Sequence, residues 1–267
     1  MAGQKKKGPI QRIKEKIEKY SFVFTELVKR DFKKQYNGTV LGLLWSLVQP
    51  LLRLLIMWVV FSQFFGRNTP HYAVYLFSGL IVFIYFSTAT SKGLTSLRSG
   101  ANIYSKVKVP KYLFLFASNV SNLINFLMML VAYFVFVAID GIPFTWKFLT
   151  LIYPTVCLTA FNVGVGMVLS GMYIFFKDTK QLYELVIILV RYMSAIFYNI
   201  NSFSEKVQTL FLINPVYVYI KYFRMVVIDS VIPPLWYHAL CLGYALLFVA
   251  LGSWMYVTQN KKYLYYV

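Results

Sequence analysis

The residues best able to do chemistry in this chain lie inside an apolar segment, LWSLVQPLLRLLIMWVVF, which runs from Leu44 to Phe61. Arg53 lies near its middle, and a charged side chain at the centre of a bilayer costs at least ~2.5 kcal/mol. Trp45 and Gln49 precede it at intervals of four residues, so the three side chains share one face of a helix. Because a guanidinium group binds phosphate oxygens through two parallel hydrogen bonds, this face is a candidate contact for an anionic solute.

A second polar face is predicted farther along the chain. Glu184, Arg191 and Tyr198 recur at intervals of seven residues, a spacing that returns to the same face of a helix. Tyr183, Arg191 and Tyr198 are candidate channel residues, because aromatic faces can stack on sugar rings without fixing one orientation of a sliding polymer. A structural alternative stays open, in which Arg53 or Arg191 forms an ion pair with Glu184.

A narrower polar stripe is formed by three asparagines. Asn119, Asn122 and Asn125 are spaced three residues apart within an apolar stretch. Asparagines inside membrane helices commonly hydrogen-bond to neighbouring helices, each bond contributing about 1–2 kcal/mol or less. We therefore interpret this stripe first as a packing feature.

Enzyme motifs are absent from the sequence. The pattern G-x-x-x-x-G-K-[ST] does not occur, so this chain has no P-loop for ATP. It has nine Asp and Glu residues, of which only Glu184 lies within a predicted span. That scarcity argues against ion coupling through buried carboxylates and against a glycosyltransferase site. Cys157 and Cys241 both fall in apolar stretches and suggest neither a disulfide framework nor a metal cluster. We expect no catalytic residue, cofactor or metal in the chain itself.

Composition indicates the elements that must position these residues. Of 267 residues, 59% are hydrophobic and 13% are charged, and the mean hydropathy is +0.61. Strict period-two alternation is missing, so transmembrane strands are a poor alternative. The sequence predicts an all-α polytopic membrane protein with six transmembrane helices. The predicted spans cover residues 41–65, 72–96, 112–139, 148–176, 182–200 and 235–257.

The distribution of Lys and Arg predicts the orientation of these spans. With a cytoplasmic N-terminus, and with Lys92 near the end of the second span counted as inner, the inner segments carry 20 Lys and Arg residues and the outer segments carry 5. Positive residues collect in cytoplasmic segments, so both termini are predicted to be cytoplasmic. Anionic lipid of the inner leaflet suffices to explain the net charge of +18, and no nucleic-acid partner is required.

Residues 1–38 are predicted to form a basic cytoplasmic segment, and residues 39–267 the transmembrane domain. The segment lacks the apolar core of a signal peptide. Its apolar residues, from Ile10 to Leu27, are spaced alternately by three and four, as in an amphipathic helix lying at the membrane interface. A short coiled-coil seam is the alternative. Near its end, Arg30, Lys33 and Lys34 are candidates for receiving an anionic lipid headgroup.

The segment between the fifth and sixth spans is unusually apolar for a loop. Two stretches of about 10–14 residues within 204–228 are too short to cross a bilayer and too apolar for solvent. They are separated near Pro215 and followed by Pro233 and Pro234. We expect two short re-entrant helices that act as an outer gate, with protein covering their ends.

Several blocks of the sequence resemble a known family. KRDFKKQYNGTVLGLLWSLVQPLL (Lys29–Leu52) is similar to the opening of permease subunits of type-2 ABC exporters for polysaccharides and teichoic acids. TPHYAVYLFSGL (Thr69–Leu80), NPVYVYIKYFRMVV (Asn214–Val227) and the basic loop SKVKVPKY (Ser105–Tyr112) resemble later parts of the same proteins. The resemblance covers essentially the whole chain, and its first block is the most specific.

The resemblance implies a homodimer in the bacterial plasma membrane that works with two copies of a separate ABC ATPase, which holds ATP and Mg²⁺. The segment 97–111 would be a coupling loop, in which Tyr104, Ser105, Lys106 and Lys108 contact that ATPase. The first and fifth spans and the outer gate would enclose a channel for a polysaccharide carried on undecaprenyl diphosphate. O-antigen, other cell-wall polysaccharides and teichoic acid remain alternative cargoes, as does a lipid or drug carried by an exporter of the same type.

Overall fold

The computed structural model describes residues 9–36, 38, 42–66, 69–100, 103, 109–201 and 203–259, without the side chains of 9–19, 34, 36, 43 and 259. Within these ranges the regular structure is entirely helical. The helices are α1 (Pro9–Tyr36), α2 (Trp45–Phe65), α3 (Tyr72–Ser99), α4 (Tyr112–Ile139), α5 (Ile152–Phe175), α6 (Thr179–Met193), α7 (Glu205–Phe211), α8 (Pro215–Val227) and α9 (Leu235–Gln259). Short 3₁₀ helices precede α2 at Gly42–Leu44 and α5 at Trp146–Leu151.

The two ends of the bundle are distinguished by α1, which packs on the first turns of α4 through Leu27, Phe114 and Ala117. We call this end the proximal face and the opposite end the distal face. At the distal face, His71 Nδ1 before α3 lies 2.6 Å from Asp140 Oδ2 after α4.

Apolar helices of membrane-spanning length confirm the predicted all-helical class. Five helical segments qualify individually, and α7 with α8 forms a further pair bent by 108°. The five are Trp45–Phe65, Tyr72–Ser99, Tyr112–Ile139, Trp146–Phe175 and Leu235–Thr258. The prediction of one continuous span over 182–200 is wrong, because α6 has 15 residues and ends at Met193. A helix needs about 20 residues to cross the hydrocarbon.

The end of α6 has a clear physical cause in α8 and the residue before it. Asn214 Nδ2 donates to the Met193 carbonyl at 3.1 Å. Arg224 donates through Nη1 to the Ala195 carbonyl at 2.9 Å and through Nη2 to the Ile196 carbonyl at 3.1 Å. Ala195 has φ 48°, outside the right-handed helical region. Side chains distant in sequence therefore satisfy carbonyl groups that a longer α6 would pair with its own backbone.

Helix α3 lies at the centre of the packed part of the bundle, against α4, α5 and α8, while α5 packs extensively on α9. Small residues let these helices approach closely. A Cβ atom added to Gly93 of α3 would lie 2.8 Å from Cα of Gly166 of α5, and one added to Gly164 would overlap the Phe248 backbone of α9. We call α3, α5 and α9 the closed core.

Helices α2 and α6 are packed much more loosely, and we call them the open pair. Buried residues of α2 are Ser46, Pro50 and Leu54, and those of α6 are Thr179 and Tyr183. Large apolar side chains on both helices are exposed, among them Leu55 at 57%, Phe64 at 75% and Leu185 at 64%. Their outer surfaces are suited to lipid or to another apolar protein surface.

Tyrosine hydroxyls bind backbone carbonyls at the distal face. The hydroxyls of Tyr72 and Tyr75 donate to the carbonyls of Phe197 and Tyr198 at 2.9 and 2.7 Å. Both carbonyls belong to the non-helical segment that follows α6. In the same way, the Tyr244 hydroxyl of α9 donates to the Leu212 carbonyl between α7 and α8 at 2.8 Å.

Candidate functional site

The predicted face of α2 lines a polar cavity. Trp45, Gln49 and Arg53 come together on a pocket of about 550 Å³ between α1, α2, α3 and α4. The prediction from the four-residue spacing, that these three side chains share one face of a helix, is therefore confirmed. We call this cavity the Arg53 pocket. Its lining residues are Gln35, Trp45, Ser46, Gln49, Pro50, Arg53, Ile84, Tyr85, Thr88, Asn122, Asn125 and Met129.

Arg53 gives this pocket its cationic character. Across the part of the chain that the structure describes, neither Arg53 nor Arg191 forms an ion pair with Glu184. The structural alternative considered from the sequence is therefore not found among those residues. Arg53 is exposed on the loosely packed α2 and lines the pocket together with the amides of Asn122 and Asn125, so its guanidinium group is accessible to an anionic group.

A bridge of polar side chains separates this pocket from the proximal face. Gln35 Oε1 of α1 accepts from Lys92 Nζ of α3 at 2.9 Å and from Asn125 Nδ2 of α4 at 3.0 Å. Lys92 Nζ also donates to Asn122 Oδ1 at 3.0 Å. We call these four residues the Gln35 bridge. The asparagine stripe thus contributes contacts between helices, as expected, although Asn119 bonds to the Leu115 carbonyl of its own helix.

The structure corrects the position of Lys92. The charge count treated this residue as part of the inner connecting segment although the predicted span 72–96 contains it, and the structure shows a half-buried residue of α3, seven residues before the helix ends at Ser99. At 1.5 Å per residue it lies about 10 Å inside that helix end. Its position within an apolar helix was the signal that charge counting overlooked.

A second pocket lies on the proximal side of the bridge. It has a volume of about 310 Å³ and is lined by Arg30, Asp31, Gln35, Lys92, Thr95, Ser96, Ser99, Phe114 and Ser118. We call it the proximal pocket. Arg30 Nη2 lies 2.7 Å from Asp31 Oδ1. Of the other predicted headgroup residues, Lys33 is exposed on α1, and the side chain of Lys34 lies outside the described residues.

The candidate residues of α6 lie apart from the Arg53 pocket. Tyr183 is buried, and its hydroxyl donates to Thr90 Oγ1 of α3 at 2.5 Å, so it attaches α6 to the closed core. The Arg191 guanidinium carbon lies 5.1 Å from the ring centroid of Phe83, also on α3. That distance is typical of a cation–π contact.

Tyr198 does not share a helix face with Glu184 and Arg191, because α6 ends five residues before it. The predicted seven-residue stripe is therefore wrong at its third member. Tyr198 instead lines a distal pocket of about 530 Å³. The residues around this distal pocket are Phe64, Phe65, Thr69, Tyr198, Asn199, Asn201 and Phe203.

Arg224 is a buried cation that charge counting missed. It was assigned to an outer segment, but its side chain is buried between α3, α8 and the segment after α6. Its guanidinium carbon lies 3.4 Å from the Tyr75 ring centroid, and it donates to the Tyr75 carbonyl at 3.2 Å. A single arginine in the apolar helix PVYVYIKYFRMVV was the available signal.

Two further expectations concern the coupling loop and metal binding. The coupling residues Tyr104, Ser105, Lys106 and Lys108 lie outside the described residues. Over the described ranges, His, Cys, Asp and Glu form no group able to hold a metal ion.

Comparison with known proteins finds relatives named for polysaccharide transport. The chain is 24% identical over 197 residues to the O-antigen export system permease protein RfbA of Myxococcus xanthus, a match covering 73% of this chain and 75% of that protein. It is 26% identical over 191 residues to a protein of the same name from Klebsiella pneumoniae, covering 71% and 73%. Against the polysialic acid transport protein KpsM of Escherichia coli it is 20% identical over 245 residues, covering 89% and 93%.

A family pattern matches most of the chain. The family described as ABC-2 type transporter matches residues 23–228, a region that includes α2 to α8 and the Arg53 pocket. Together with the apolar helices of spanning length, this match makes the chain a multi-pass protein of the bacterial plasma membrane. The chain belongs to the ABC-2 type transporter family.

Proposed function

We propose that the chain is the permease subunit of an ATP-driven exporter that moves undecaprenyl-diphosphate-linked polysaccharide across the plasma membrane. Relatives named for O-antigen export and polysialic acid transport support a polysaccharide as the cargo. The observation that carries the proposal is the Arg53 pocket, in which a guanidinium, an indole and amide groups line a cavity among apolar helices. Such a cavity suits a ligand that is both anionic and lipid-borne.

Different parts of the molecule suit different parts of this ligand. Arg53 would contact the diphosphate, because its planar fork matches phosphate oxygens and remains charged in apolar surroundings. Arg30, Lys33 and Lys34 would attract the headgroup from the inner leaflet. At the distal pocket, the ring of Tyr198 together with phenylalanine rings and the amides of Asn199 and Asn201 offers stacking faces and hydrogen-bonding groups to sugar rings.

Energy would come from a separate ABC ATPase, which binds ATP and Mg²⁺ in two copies. The absence of a P-loop pattern from the sequence supports this division of labour. The loop over 97–111 would transmit the ATPase motion through Tyr104, Ser105, Lys106 and Lys108. Both termini would be cytoplasmic, with the proximal face towards the ATPase.

A homodimer would give the channel its two sides. The exposed apolar faces of α2 and α6 support this arrangement, because they are available to a second copy of the chain. Arg53, Arg191 and the distal aromatic rings of both copies would then line the path of the polysaccharide.

The proposal is tested with the chain and its ATPase reconstituted together in liposomes. Undecaprenyl-diphosphate-linked glycan should stimulate ATP hydrolysis, and Arg53→Gln should reduce that stimulation about tenfold, since a charge-assisted hydrogen bond contributes ~1.5–3 kcal/mol. Arg53→Lys should restore part of it, because the charge returns without the bidentate fork. The chain purified without the ATPase should hydrolyse no ATP.

Lys180→Gln is the matched control, because Lys180 is exposed on α6 and lines neither the Arg53 pocket nor the proximal pocket. It should leave stimulation unchanged. Equal stimulation by simple lipids or drugs would contradict the polysaccharide assignment. Full stimulation of the Arg53→Gln complex would contradict the role of the pocket.

A further inference from the structure

We propose that Lys92 is a second phosphate-binding residue, reached through the proximal pocket before the headgroup meets Arg53, and that Gln35 is the side chain that a phosphate displaces to pass between the two pockets. The inference rests on the proposed export of a diphosphate-linked polysaccharide and identifies where its headgroup first binds. Lys92 and Gln35 both line the proximal pocket, and Gln35 also lines the Arg53 pocket.

The proximal pocket has a net positive charge, which favours an anionic ligand. The ammonium of Lys92 donates to two neutral amide oxygens, those of Gln35 and Asn122. The acidic residue of the pocket, Asp31, accepts hydrogen bonds from Arg30 at 2.7 and 3.0 Å. Among the described residues, Lys92 has no ion pair with a carboxylate. Arg30, Asp31 and Lys92 together leave one positive charge uncompensated, within a bundle of apolar helices where such a charge is costly.

Gln35 lies at the point where the two pockets meet. One oxygen atom of its side chain accepts from both Lys92 of α3 and Asn125 of α4. Gln35 is exposed and belongs to the last turn of α1, so its side chain can turn away without opening the closed core. A phosphate oxygen carries the charge that an amide oxygen lacks, and hydrogen bonds to ionised acceptors are roughly twice as strong as neutral ones. Phosphate should therefore replace Gln35 at the Lys92 ammonium.

The order of events follows from these positions. A headgroup entering from the proximal face meets Arg30 and Lys92 first, and Arg53 lies beyond the Gln35 bridge. Displacement of Gln35 also breaks its contacts from α1 to α3 and α4. Loading of the headgroup would thereby loosen α1 at the face proposed to meet the ATPase.

Binding of a prenyl diphosphate to the complex of chain and ATPase tests this assignment directly. The complex is placed in phosphatidylcholine nanodiscs without nucleotide, and affinity is measured for the prenyl diphosphate, the corresponding prenyl alcohol, inorganic pyrophosphate and added phosphatidylglycerol. Lys92→Met should weaken diphosphate binding by about tenfold or more and leave binding of the alcohol unchanged. Lys92→Arg should keep most of the affinity, and Lys180→Met is the matched control without effect.

Gln35→Ala is expected to have the opposite effect on diphosphate binding. This expectation can be tested even if Lys92→Met fails to fold. Removal of the competing amide should tighten diphosphate binding several-fold, and weaker binding in this variant would overturn the displacement step. Diphosphate affinity unchanged by Lys92→Met would overturn the assignment of Lys92. Competition by pyrophosphate that Lys92→Met abolishes would support it, whereas equal competition by phosphatidylglycerol would show that the site does not select a diphosphate headgroup, and would also overturn it.

These outcomes are separable from failure of the proposed function. Loss of diphosphate binding in Lys92→Met, combined with no stimulation of the parent complex by any lipid-linked glycan, would support the binding site and contradict polysaccharide export. Stimulation that depends on Arg53 but not on Lys92 would support export and contradict this inference.

Discussion

The closed core and the open pair show two ways of building a membrane helix bundle from similarly apolar sequences. α5 approaches α3 closely at Gly166 and α9 closely at Gly164, and α3 is buried over most of its apolar length, whereas α9 keeps an exposed apolar face. α2 is equally apolar but largely unburied, and α6 is short and exposed. Apolar composition alone therefore does not indicate packing. The contrast separates helices joined by close glycine contacts from two helices with little buried surface.

The polar pockets lie where these two parts meet. Arg53 is carried by the open α2, while Lys92 is carried by α3 of the closed core, with Asn122 beside it on α4. Movement of α2 relative to α3 would change the separation of the two cations without disturbing the glycine contacts between α3 and α5.

The largest loss of stability is expected where the closed core is joined to the segment after α6. Arg224→Met should lower the free energy of unfolding by about 3 kcal/mol or more, because it removes the guanidinium donor from the carbonyls of Tyr75, Ala195 and Ile196, and a hydrogen bond from a charged donor contributes ~1.5–3 kcal/mol. Thermal unfolding in detergent measures the change. Arg98→Met is the control, since Arg98 is exposed at the end of α3, and an equal loss in both variants would contradict the role of Arg224.

A smaller loss is expected at the contact between α5 and α9. Gly164→Ala should destabilise the chain by about 1–3 kcal/mol, because the added methyl group would overlap the Phe248 backbone and push the helices apart. Gly243 of α9 is a matched control, since an added Cβ there has no neighbour within 4 Å. Gly243→Ala should be neutral or stabilising by about 0.5–1 kcal/mol. Similar stability of both variants, measured by thermal unfolding, would show that the core is less tightly packed than described.

The smallest effect on folding is expected in the open pair. Leu185→Ala on α6 should change monomer stability by less than about 0.5 kcal/mol, because this side chain is 64% exposed. The same variant should weaken self-association if α6 faces a second copy, and analytical ultracentrifugation in detergent measures that change. If Leu185→Ala lowered monomer stability as much as Gly164→Ala, the distinction between the open pair and the closed core would be contradicted.

The sequence allowed the helical class and most of the spans to be predicted, because both depend on local apolar length. It also predicted that Trp45, Gln49 and Arg53 share a face, since a spacing of four needs only a continuous helix. The corresponding prediction for Glu184 and Tyr198 was wrong for a non-local reason. Asn214 and Arg224 bind the carbonyls at the end of α6, and no pattern within that segment signals partners so distant in sequence.

Charge counting was limited in another way. It treats each Lys and Arg near a span end as part of a loop, and so it could not distinguish exposed cations from Lys92 and Arg224. Both lie inside helices and bind side chains or carbonyls of other helices. Their positions depend on tertiary contacts between α1, α3, α4 and α8, which hydropathy does not describe.

The tyrosine hydroxyls at the distal face bear on how the chain tolerates substitution. A count of hydrophobic or aromatic residues groups Tyr with Phe, yet Tyr72, Tyr75 and Tyr244 supply donors that carbonyls of non-helical backbone would otherwise take from water. The segment after α6 and the bend between α7 and α8 are thereby fastened to α3 and α9. Replacing any of these tyrosines by phenylalanine would remove one oxygen atom and, with it, the hydrogen bond that joins the connection to its helix.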